Sequence, residues 1–144
     1  MTNPLAIGLA ALLLAIAGLH LAWAFGVRWP GTDELSLADK VLGAPPGSRM
    51  PSAGLTVFVS MAIAAGSAVI VAFSAKALDG PWRPLLATAY FMLAGVFLVR
   101  GLAGFVPAVW RRAEGTAFHR LNQLYYSPLC LLIAAGLAVN FALG

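Results

Sequence analysis

Residues 5–27 read LAIGLAALLLAIAGLHLAWAFGV, a run in which His20 is the one polar side chain. A helix that rises about 1.5 Å per residue needs roughly 20 apolar residues to cross a hydrocarbon core of about 30 Å. This run is long enough to do so. We therefore predict that it forms a membrane-spanning helix, and the same test applies to the rest of the chain.

Three further runs have the same character, so spans are predicted at about residues 5–27, 55–78, 85–108 and 121–143. Hydrophobic residues make up 61% of the chain and charged residues 10%, whereas soluble domains usually carry about 25% charged residues. A water-soluble fold could not bury that much apolar surface. We predict an all-α integral membrane protein, a single domain over residues 1–144 that forms a four-helix transmembrane bundle with antiparallel, up-down neighbours.

A cleaved signal peptide is the alternative interpretation of the first run, because Ala22-Trp23-Ala24 loosely resembles a small-x-small cleavage site. No Lys or Arg precedes the apolar stretch. The stretch is also longer than the roughly 7–15 residues of a signal h-region. Both observations favour a membrane span.

The connection between the first two spans, residues 28–53, is long and rich in proline and glycine. Proline in a helix interior removes a backbone donor, which argues against one continuous helix over this connection. Residues 33–42 differ, because Thr32 or Asp33 provides a cap and apolar residues follow. We expect a short surface helix there, lying over the end of the bundle.

Basic residues are distributed unevenly among the connections. The first and third connections hold Arg28, Lys40, Arg49, Arg111, Arg112 and Arg120, whereas the second holds Lys76 and Arg83. By the positive-inside rule, six against two places the first and third connections in the cytoplasm and both termini outside. The net charge of +4 is thus explained by topology, and nucleic acid is not an expected partner.

The polar residues within the spans concentrate near one membrane face. In an antiparallel bundle, the end of the first span, the start of the second, the end of the third and the start of the fourth lie together. The polar residues in these parts of the chain include His20, Thr56, Ser60, Arg100, Asn122 and Tyr126. The opposite leaflet is predicted to hold only scattered exceptions, such as Ser74, Tyr90 and Asn140.

Arg100 is the strongest single signal, because it stays charged at ordinary pH and costs about 2.5–3.5 kcal/mol at a helix centre on insertion scales. Two interpretations are open. The side chain reaches the headgroups and holds a lipid phosphate, or it faces the bundle interior and donates to Asn122, Tyr126, backbone carbonyls or an anionic ligand. No carboxylate lies within a span, so an ion pair would need an acidic residue of a connection, namely Asp33, Glu34, Asp39 or Glu114.

His20 lies three residues before Trp23, which puts both side chains on one helical face near the interface. His20 is either a neutral imidazole hydrogen-bonded inside the bundle or a group that binds a ligand or transfers a proton. Trp23 is a candidate ligand contact beside it, although tryptophans near span ends are also typical of an interfacial belt. The chain has no paired histidine spacing, so neither a metal nor a cofactor is predicted.

Pro128 lies about two turns into the fourth predicted span. It removes one backbone donor and frees the carbonyl of Leu124, so we predict a kink close to Asn122 and Tyr126. A freed carbonyl in lipid has to be satisfied by a neighbour, and the candidate donors are Arg100 and a Ser hydroxyl.

Three stretches carry a resemblance to a known family. They are His20-Leu21-Ala22-Trp23-Ala24-Phe25-Gly26, Phe97-Leu98-Val99-Arg100-Gly101 and Thr116-x-Phe118-x-x-Leu121-Asn122-x-x-x-Tyr126-Ser127-Pro128-Leu129-Cys130-Leu131. The chain resembles the small bacterial four-span proteins grouped as domain of unknown function number 3995. The resemblance implies a multi-pass protein of the bacterial inner membrane and supplies no reaction, cofactor or catalytic residue. An Asp often occupies the position of Asn122 in that family, so this chain departs from a carboxylate partner for Arg100.

Three classes of function are compatible with this pattern. The first is the binding or carrying of a lipid or small amphipathic molecule with an anionic head, in a cleft open to one leaflet. Its candidate ligand-binding residues are His20, Trp23, Thr56, Ser60, Arg100, Asn122 and Tyr126. The second is a structural or accessory subunit, in a homo-oligomer or a larger membrane complex. The third is a membrane-embedded enzyme that uses His, Tyr and Arg for acid–base chemistry, although the chain offers no nucleotide loop or nucleophile–base pair.

Overall fold

The computed structural model describes residues 3–76 and 80–143. Four helical segments are long and apolar enough to cross a membrane, namely Pro4–Ala24, Ala53–Ser74, Gly80–Ala103 and Ala117–Leu143. The predicted all-α, four-span fold is confirmed, and the chain is a multi-pass membrane protein. The outer surface of the bundle is apolar, as a membrane protein requires. Large apolar side chains such as Phe58 and Met61 are 68% and 66% exposed, and they suit contact with lipid rather than water.

Seven α-helices are described, and shorter turns join some of them. In chain order they are α1 (Pro4–Ala24), α2 (Glu34–Val41), α3 (Ala53–Ser74), α4 (Arg83–Ala103), α5 (Pro107–Trp110), α6 (Ala117–Leu121) and α7 (Ser127–Leu143). A 3-10 turn at Gly80–Trp82 leads into α4, and another at Arg111–Ala113 follows α5. A π-helical turn at Asn122–Tyr126 joins α6 to α7, so the fourth span is one continuous helical segment with a wider turn inside it.

The first span ends three residues earlier than predicted, at Ala24 instead of residue 27. Gly26 has a positive φ of 92°, a conformation that glycine adopts without steric cost. The N–H of Val27 donates to the carbonyl of Ala22 at 3.0 Å, and the N–H of Gly26 donates to Trp23 at 3.0 Å. These two bonds form a Schellman motif, which closes the helix.

The ends of the other spans also differ from the predicted positions. The third span, helix α4, ends at Ala103 instead of residue 108, because Pro107 cannot donate a helical hydrogen bond and instead begins α5. The fourth segment begins at Ala117, four residues before the predicted start at residue 121. The second begins at Ala53 rather than residue 55, and its predicted end at residue 78 lies outside the described residues.

Polar caps begin the first two spans. Asn3 Oδ1 accepts a hydrogen bond from the N–H of Ala6 at 2.8 Å, and Pro4 occupies the first turn, where its missing N–H is harmless. Ser52 Oγ accepts from the N–H of Leu55 at 3.4 Å. In both helices the cap satisfies a backbone donor that has no partner inside the helix.

The four long segments form a ring in which α1 packs on α3, α3 on α4, α4 on α7 and α7 on α1. Ser60 Oγ donates to the carbonyl of Ala17 at 2.7 Å, and Ser67 Oγ donates to the carbonyl of Ala10 at 2.9 Å. Residue numbers therefore rise along α3 as they fall along α1, so these neighbours are antiparallel. Hydroxyl bonds of this kind hold helices together in lipid, where the hydrophobic effect does not.

Small residues let the helices approach closely. A Cβ placed on Gly101 would lie 2.6 Å from the Leu131 side chain, and one on Gly136 would lie 2.9 Å from the Leu9 side chain. The apolar core next to these contacts is formed by Ala6, Leu9, Leu13, Ile70, Tyr90, Ile133 and Leu137. Close glycine contacts replace part of the driving force that water would supply to a soluble bundle.

The bundle has two ends, which carry different structures. The terminal face is the end at which Asn3, Ser74, Arg83 and Leu143 lie, and the connection face is the opposite end, covered by the first and third connections. The short helix predicted within residues 33–42 is present as α2, and Asp33 Oδ1 caps it by accepting from the N–H of Ser36 at 2.7 Å. Leu37 is 0% exposed and α2 packs against α6, so the first connection is docked on the connection face.

Candidate functional site

The π-helical turn in the fourth span places two polar side chains opposite the end of α4. Its last hydrogen bond runs from the N–H of Ser127 to the carbonyl of Asn122, five residues earlier. Pro128 follows at once and supplies no N–H, so the helix accommodates the proline with a wider turn rather than with a simple break. Asn122 and Ser127 are 1% and 0% exposed, and both point toward α4.

Arg100 is held by these two residues. Its Nη2 donates to Asn122 Oδ1 at 2.7 Å, and its Nη1 lies 3.4 Å from Ser127 Oγ. The interpretation in which Arg100 faces the bundle and donates to Asn122 therefore matches the geometry, although the guanidinium is only partly buried. We call Arg100, Asn122, Ser127, Gly104 and Trp110 the Arg100 cluster.

Asn122 uses both ends of its amide. Its Oδ1 accepts from Arg100 at 2.7 Å and from Ser127 Oγ at 3.1 Å, while its Nδ2 donates to the carbonyl of Gly104 at 3.2 Å. That carbonyl belongs to the end of α4, where helix carbonyls lack partners of their own. Asn122 thus satisfies a cation and a helix end together.

Gly104 makes this arrangement possible because it has no side chain. A Cβ at this position would lie 1.6 Å from Ser127 Oγ and 2.4 Å from Ser127 Cβ. No L-residue with a side chain fits there unless the fourth span moves away. The close approach of α4 and α7 at the cluster therefore depends on Gly104.

Trp110 closes the cluster on the side of the third connection. The Arg100 guanidinium carbon lies 4.8 Å from the centroid of the Trp110 ring, within the range of a cation–π contact. Trp110 Nε1 donates to the carbonyl of Ala103 at 2.7 Å, which fixes the ring. The partners of Arg100 are thus an amide, a hydroxyl and an aromatic face, and none of them carries a negative charge.

The first connection lies over this cluster. Tyr126 donates from its hydroxyl to the carbonyl of Lys40 at 3.0 Å. Asp39 Oδ2 accepts from the N–H of Ala117 at 3.0 Å and so caps α6, which has no side-chain cap of its own. Asp39 was considered as an ion-pair partner of Arg100, and the structure instead places it on the helix start. Gly43 packs against the Trp110 ring, where a Cβ would lie 2.2 Å from the nearest ring atom.

The other predicted site residues belong to the α1–α3 pair. His20 Nδ1 lies 2.8 Å from the carbonyl of Ile16, so this nitrogen is the donor, and the His20 ring lies 4.9 Å from that of Trp23. Thr56 donates to the carbonyl of Ser52 at 3.1 Å. Together with the bond from Ser60 to Ala17, these contacts stay within one helix pair, and no hydrogen bond among the described residues joins them to the Arg100 cluster. The structure therefore joins Arg100 with Asn122, ties Tyr126 to the first connection, and keeps the remaining four apart.

A second polar cluster, missed by the sequence analysis, lies at the terminal face. We call it the Asn140 cluster, and it consists of Asn3, Ser74, Tyr90 and Asn140. Asn140 is 2% exposed; its Nδ2 donates to Ser74 Oγ at 3.0 Å and to the Tyr90 hydroxyl at 2.8 Å, and its Oδ1 accepts from Asn3 Nδ2 at 2.8 Å. Tyr90 donates onward to the carbonyl of Leu137 at 2.8 Å.

The sequence contained a signal for this cluster. Ser74 ends the second span, Asn140 nears the end of the fourth, and Asn3 begins the first. These three positions meet at one end of an antiparallel bundle, by the same depth argument that grouped the residues of the opposite leaflet. Ser74 and Asn140 were treated as scattered exceptions, and Asn3 was not considered, because neutral polar residues near span ends are common, whereas an Arg within a span is not.

Cavities lie away from the predicted site. A cavity of about 250 Å³ adjoins the Asn140 cluster at the terminal face, and its lining includes Asn3, Ser74, Lys76, Arg83 and Asn140. A second cavity of about 330 Å³ is lined by Trp82, Leu85, Leu86 and Ala89. Neither of these two cavities is lined by any of the seven predicted ligand-binding residues. Among residues 3–76 and 80–143, no three His, Cys, Asp or Glu side chains are grouped so as to hold a metal ion.

Comparison with known families identifies the chain. The family described as "Protein of unknown function (DUF3995)" matches residues 13–137, which include both Arg100 and its partner Asn122. No curated protein and no solved structure matches the chain. The match covers most of the sequence and all four spans in part or whole, as the motifs around Arg100 and Tyr126 predicted. The protein therefore belongs to the DUF3995 family, which is described as a family of proteins of unknown function.

Proposed function

We propose that the protein binds an anionic-headed amphiphile, a lipid or a lipid-like molecule, at the Arg100 cluster. The observation that carries the proposal is the chemistry around Arg100, a permanent cation within a membrane-length helix whose described partners are all uncharged. An Arg in a span costs free energy even near a helix end, and it is retained where it pairs or serves a function. An anionic headgroup would supply the missing negative charge.

The geometry of the guanidinium supports this role. Arginine has five N–H donors, and the bonds to Asn122 and Ser127 account for two of them. The Trp110 ring and the buried Asn122 amide hold the group in one orientation. A planar, fixed guanidinium can donate two parallel hydrogen bonds to a phosphate or carboxylate. Because the group is partly exposed, a headgroup at the edge of the bundle is within its reach.

We further propose that this site faces the cytoplasm of a bacterial inner membrane, with both termini outside. The support is the excess of Lys and Arg in the first and third connections. A single cysteine at Arg49 or at Ala75, each in a Cys130→Ser background, tests the orientation in intact cells. A membrane-impermeant thiol reagent added outside the cells should label the Ala75→Cys variant and leave the Arg49→Cys variant unlabelled. The reverse pattern would show that the orientation is wrong.

Native mass spectrometry of the protein purified in mild detergent tests the binding. Wild-type protein is expected to retain an anionic amphiphile, and Arg100→Gln should lower the retained fraction by about tenfold or more, because a hydrogen bond to a charged group contributes about 1.5–3 kcal/mol. Arg112→Gln is the matched control, since it removes one positive charge from an exposed residue on the same face. Equal retention by wild type and Arg100→Gln would contradict the proposal.

A second variant separates binding from folding, because Arg100→Gln also removes contacts within the bundle. Asn122→Asp places a carboxylate oxygen where Oδ1 now lies, 2.7 Å from the guanidinium. It therefore neutralises Arg100 while keeping Arg100 itself and a side chain of similar size at position 122. The variant gives up the bond from Nδ2 to Gly104 but gains an ion pair. We expect a folded protein that no longer retains the amphiphile. Undiminished retention by this variant would show that the charge of Arg100 is not what recognises the ligand.

A further inference from the structure

The cavity at the terminal face has the chemistry of a second anion site. We propose that it takes a phosphate-bearing group, a phosphate mono- or diester, at the membrane face opposite the Arg100 cluster. Arg83 and Arg100 are separated by 17 positions of one helix, which corresponds to about 25 Å at ~1.5 Å per residue. The two sites are therefore physically separate, and this inference does not depend on the proposed function.

Two cationic side chains line the cavity. Lys76 follows the end of α3, and Arg83 begins α4. Lys76 adopts a left-handed backbone conformation with φ of 53°, where an ordinary L-residue costs about 1–2 kcal/mol and Gly or Asn is preferred. The chain thus keeps a long cation at a position where a smaller residue would be less strained. An arginine beside a lysine at a water–lipid boundary is suited to phosphate.

The floor of the cavity is polar and already ordered. Asn140 is 2% exposed and is held by three residues, Asn3, Ser74 and Tyr90, so it presents a fixed surface to the cavity. Ser74 Oγ lies 3.4 Å from Asn140 Oδ1, a long contact that a better acceptor can replace. Asn3 Nδ2 has two N–H donors, of which the bond to Asn140 uses one. Hydroxyl and amide donors therefore stand beside the two cations.

The size of the cavity limits what it can hold. Its volume of about 250 Å³ is below the roughly 300–1,000 Å³ of sites that enclose a whole small-molecule ligand, but several times the ~30 Å³ that one water molecule occupies. Phe141 and Leu143 form apolar parts of its wall. A phosphate group with a short polar stem fits inside, and acyl chains would extend along the apolar outer surface of the bundle.

Retention of lipid from mixed nanodiscs tests the site. The protein is reconstituted in phosphatidylcholine with a minority of phosphatidylglycerol, and native mass spectrometry measures the ratio of the two lipids that stay bound. The test variant is Lys76→Gln with Arg83→Gln. The control is Arg111→Gln with Arg112→Gln, which removes two exposed cations from the other face. Both double variants are also measured in the Asn122→Asp background, in which the Arg100 cluster should not contribute to lipid retention.

The expected result is a fall of about tenfold in the phosphatidylglycerol ratio for the test variant, equal to about 1.4 kcal/mol, with the control near wild type. Leu143→Trp is a second variant that fills the cavity and keeps both cations, and it should give a similar loss. An unchanged ratio in the test variant and in Leu143→Trp would overturn the proposal. An equal loss in the control would also overturn it, because it would show a general effect of charge.

A competition experiment identifies the source of the phosphate group. Inorganic phosphate is titrated against the wild-type protein loaded with phosphatidylglycerol. Displacement of the lipid would assign the site to a soluble phosphate compound, and retention of the lipid would assign it to a headgroup. Both outcomes support a phosphate site, provided that the test variant loses the bound lipid. Loss of lipid in Asn122→Asp alone, with wild-type behaviour of the test variant, would support the Arg100 cluster and refute this cavity.

Discussion

Both ends of the bundle hold polar side chains within the membrane, but their partners differ in chemistry. At the connection face, a permanent cation at Arg100 is held by a buried amide, a hydroxyl and an aromatic ring. At the terminal face, Asn140 is held by neutral partners only, and the cations stay at the rim of a cavity. In a membrane, a neutral network that satisfies itself needs nothing further, whereas a charge without a counter-charge invites an anion. The two ends therefore differ in where the positive charge lies: inside the hydrogen-bonded cluster at the connection face, and beside it at the terminal face.

The sharpest way to test this contrast is to remove the central amide of each end. We expect Asn122→Leu to lower the free energy of unfolding by about 3 kcal/mol. The variant removes the amide oxygen that accepts from the Arg100 guanidinium, and it leaves the Gly104 carbonyl without its donor. Steric trapping in bicelles measures this quantity. A loss below about 1 kcal/mol would show that Arg100 is satisfied by lipid or water instead.

Close packing at the connection face gives the next largest effect. Gly104→Ala should destabilise the protein by about 1–3 kcal/mol, since its Cβ would overlap Ser127 and push the fourth span away from α4. Gly95→Ala in the same helix is the matched control, because nothing lies within 4 Å of a Cβ there. The control should be neutral or slightly stabilising, and equal losses in both variants would contradict the packing argument.

The corresponding change at the terminal face should have a smaller effect. Asn140→Leu removes neutral hydrogen bonds, which contribute on average about 0.6 kcal/mol and at most about 1.7 kcal/mol in a membrane protein. The expected loss in the free energy of unfolding is therefore about 1 kcal/mol, well below that of Asn122→Leu. A loss as large as that of Asn122→Leu would remove the distinction between charged and neutral clusters.

The smallest effect concerns the first connection, which lies over the Arg100 cluster. Tyr126→Phe loses one hydrogen bond to the Lys40 carbonyl and should cost about 0.5–1 kcal/mol. The consequence should be local, with faster amide hydrogen exchange in α2 and unchanged exchange in α7. Uniformly faster exchange across the protein would indicate that Tyr126 supports the whole bundle rather than the docking of the first connection.

Much of this molecule could be predicted from its sequence because lipid leaves few options. Apolar runs of sufficient length have to become helices, since a backbone in hydrocarbon has to satisfy its own hydrogen bonds. The short helix α2 followed from its Asp33 cap and the apolar residues behind it. The pairing of Arg100 with Asn122 was one of the arrangements considered, because both lie at the ends of adjacent spans on one face.

Other features of the candidate site depended on rotation about each helix axis, which depth along the helix does not reveal. His20, Thr56 and Ser60 were grouped with Arg100 by depth, and they bond within the α1–α3 pair instead. Trp23, the predicted neighbour of His20, donates from its indole N–H to the carbonyl of Trp29 in the first connection. The role of these four as ligand-binding residues stays a prediction. The π-helical turn was also not foreseen, because a proline predicts a disturbed helix without specifying whether it kinks or widens.

By itself, the sequence determined that the protein lies in a membrane, how many spans it has, that neighbouring spans are antiparallel, and that one span contains Arg100. Each of these features follows from composition and length. The tertiary structure alone decided which polar groups meet. Gly104 allows α4 to approach the fourth span closely enough for Asn122 and Ser127 to contact Arg100. At the other end of the bundle, the packing of three helices brings Asn3, Ser74 and Asn140 together. The physical reason is that hydrogen bonds and close contacts depend on angstrom distances between helices, which rotation and packing set.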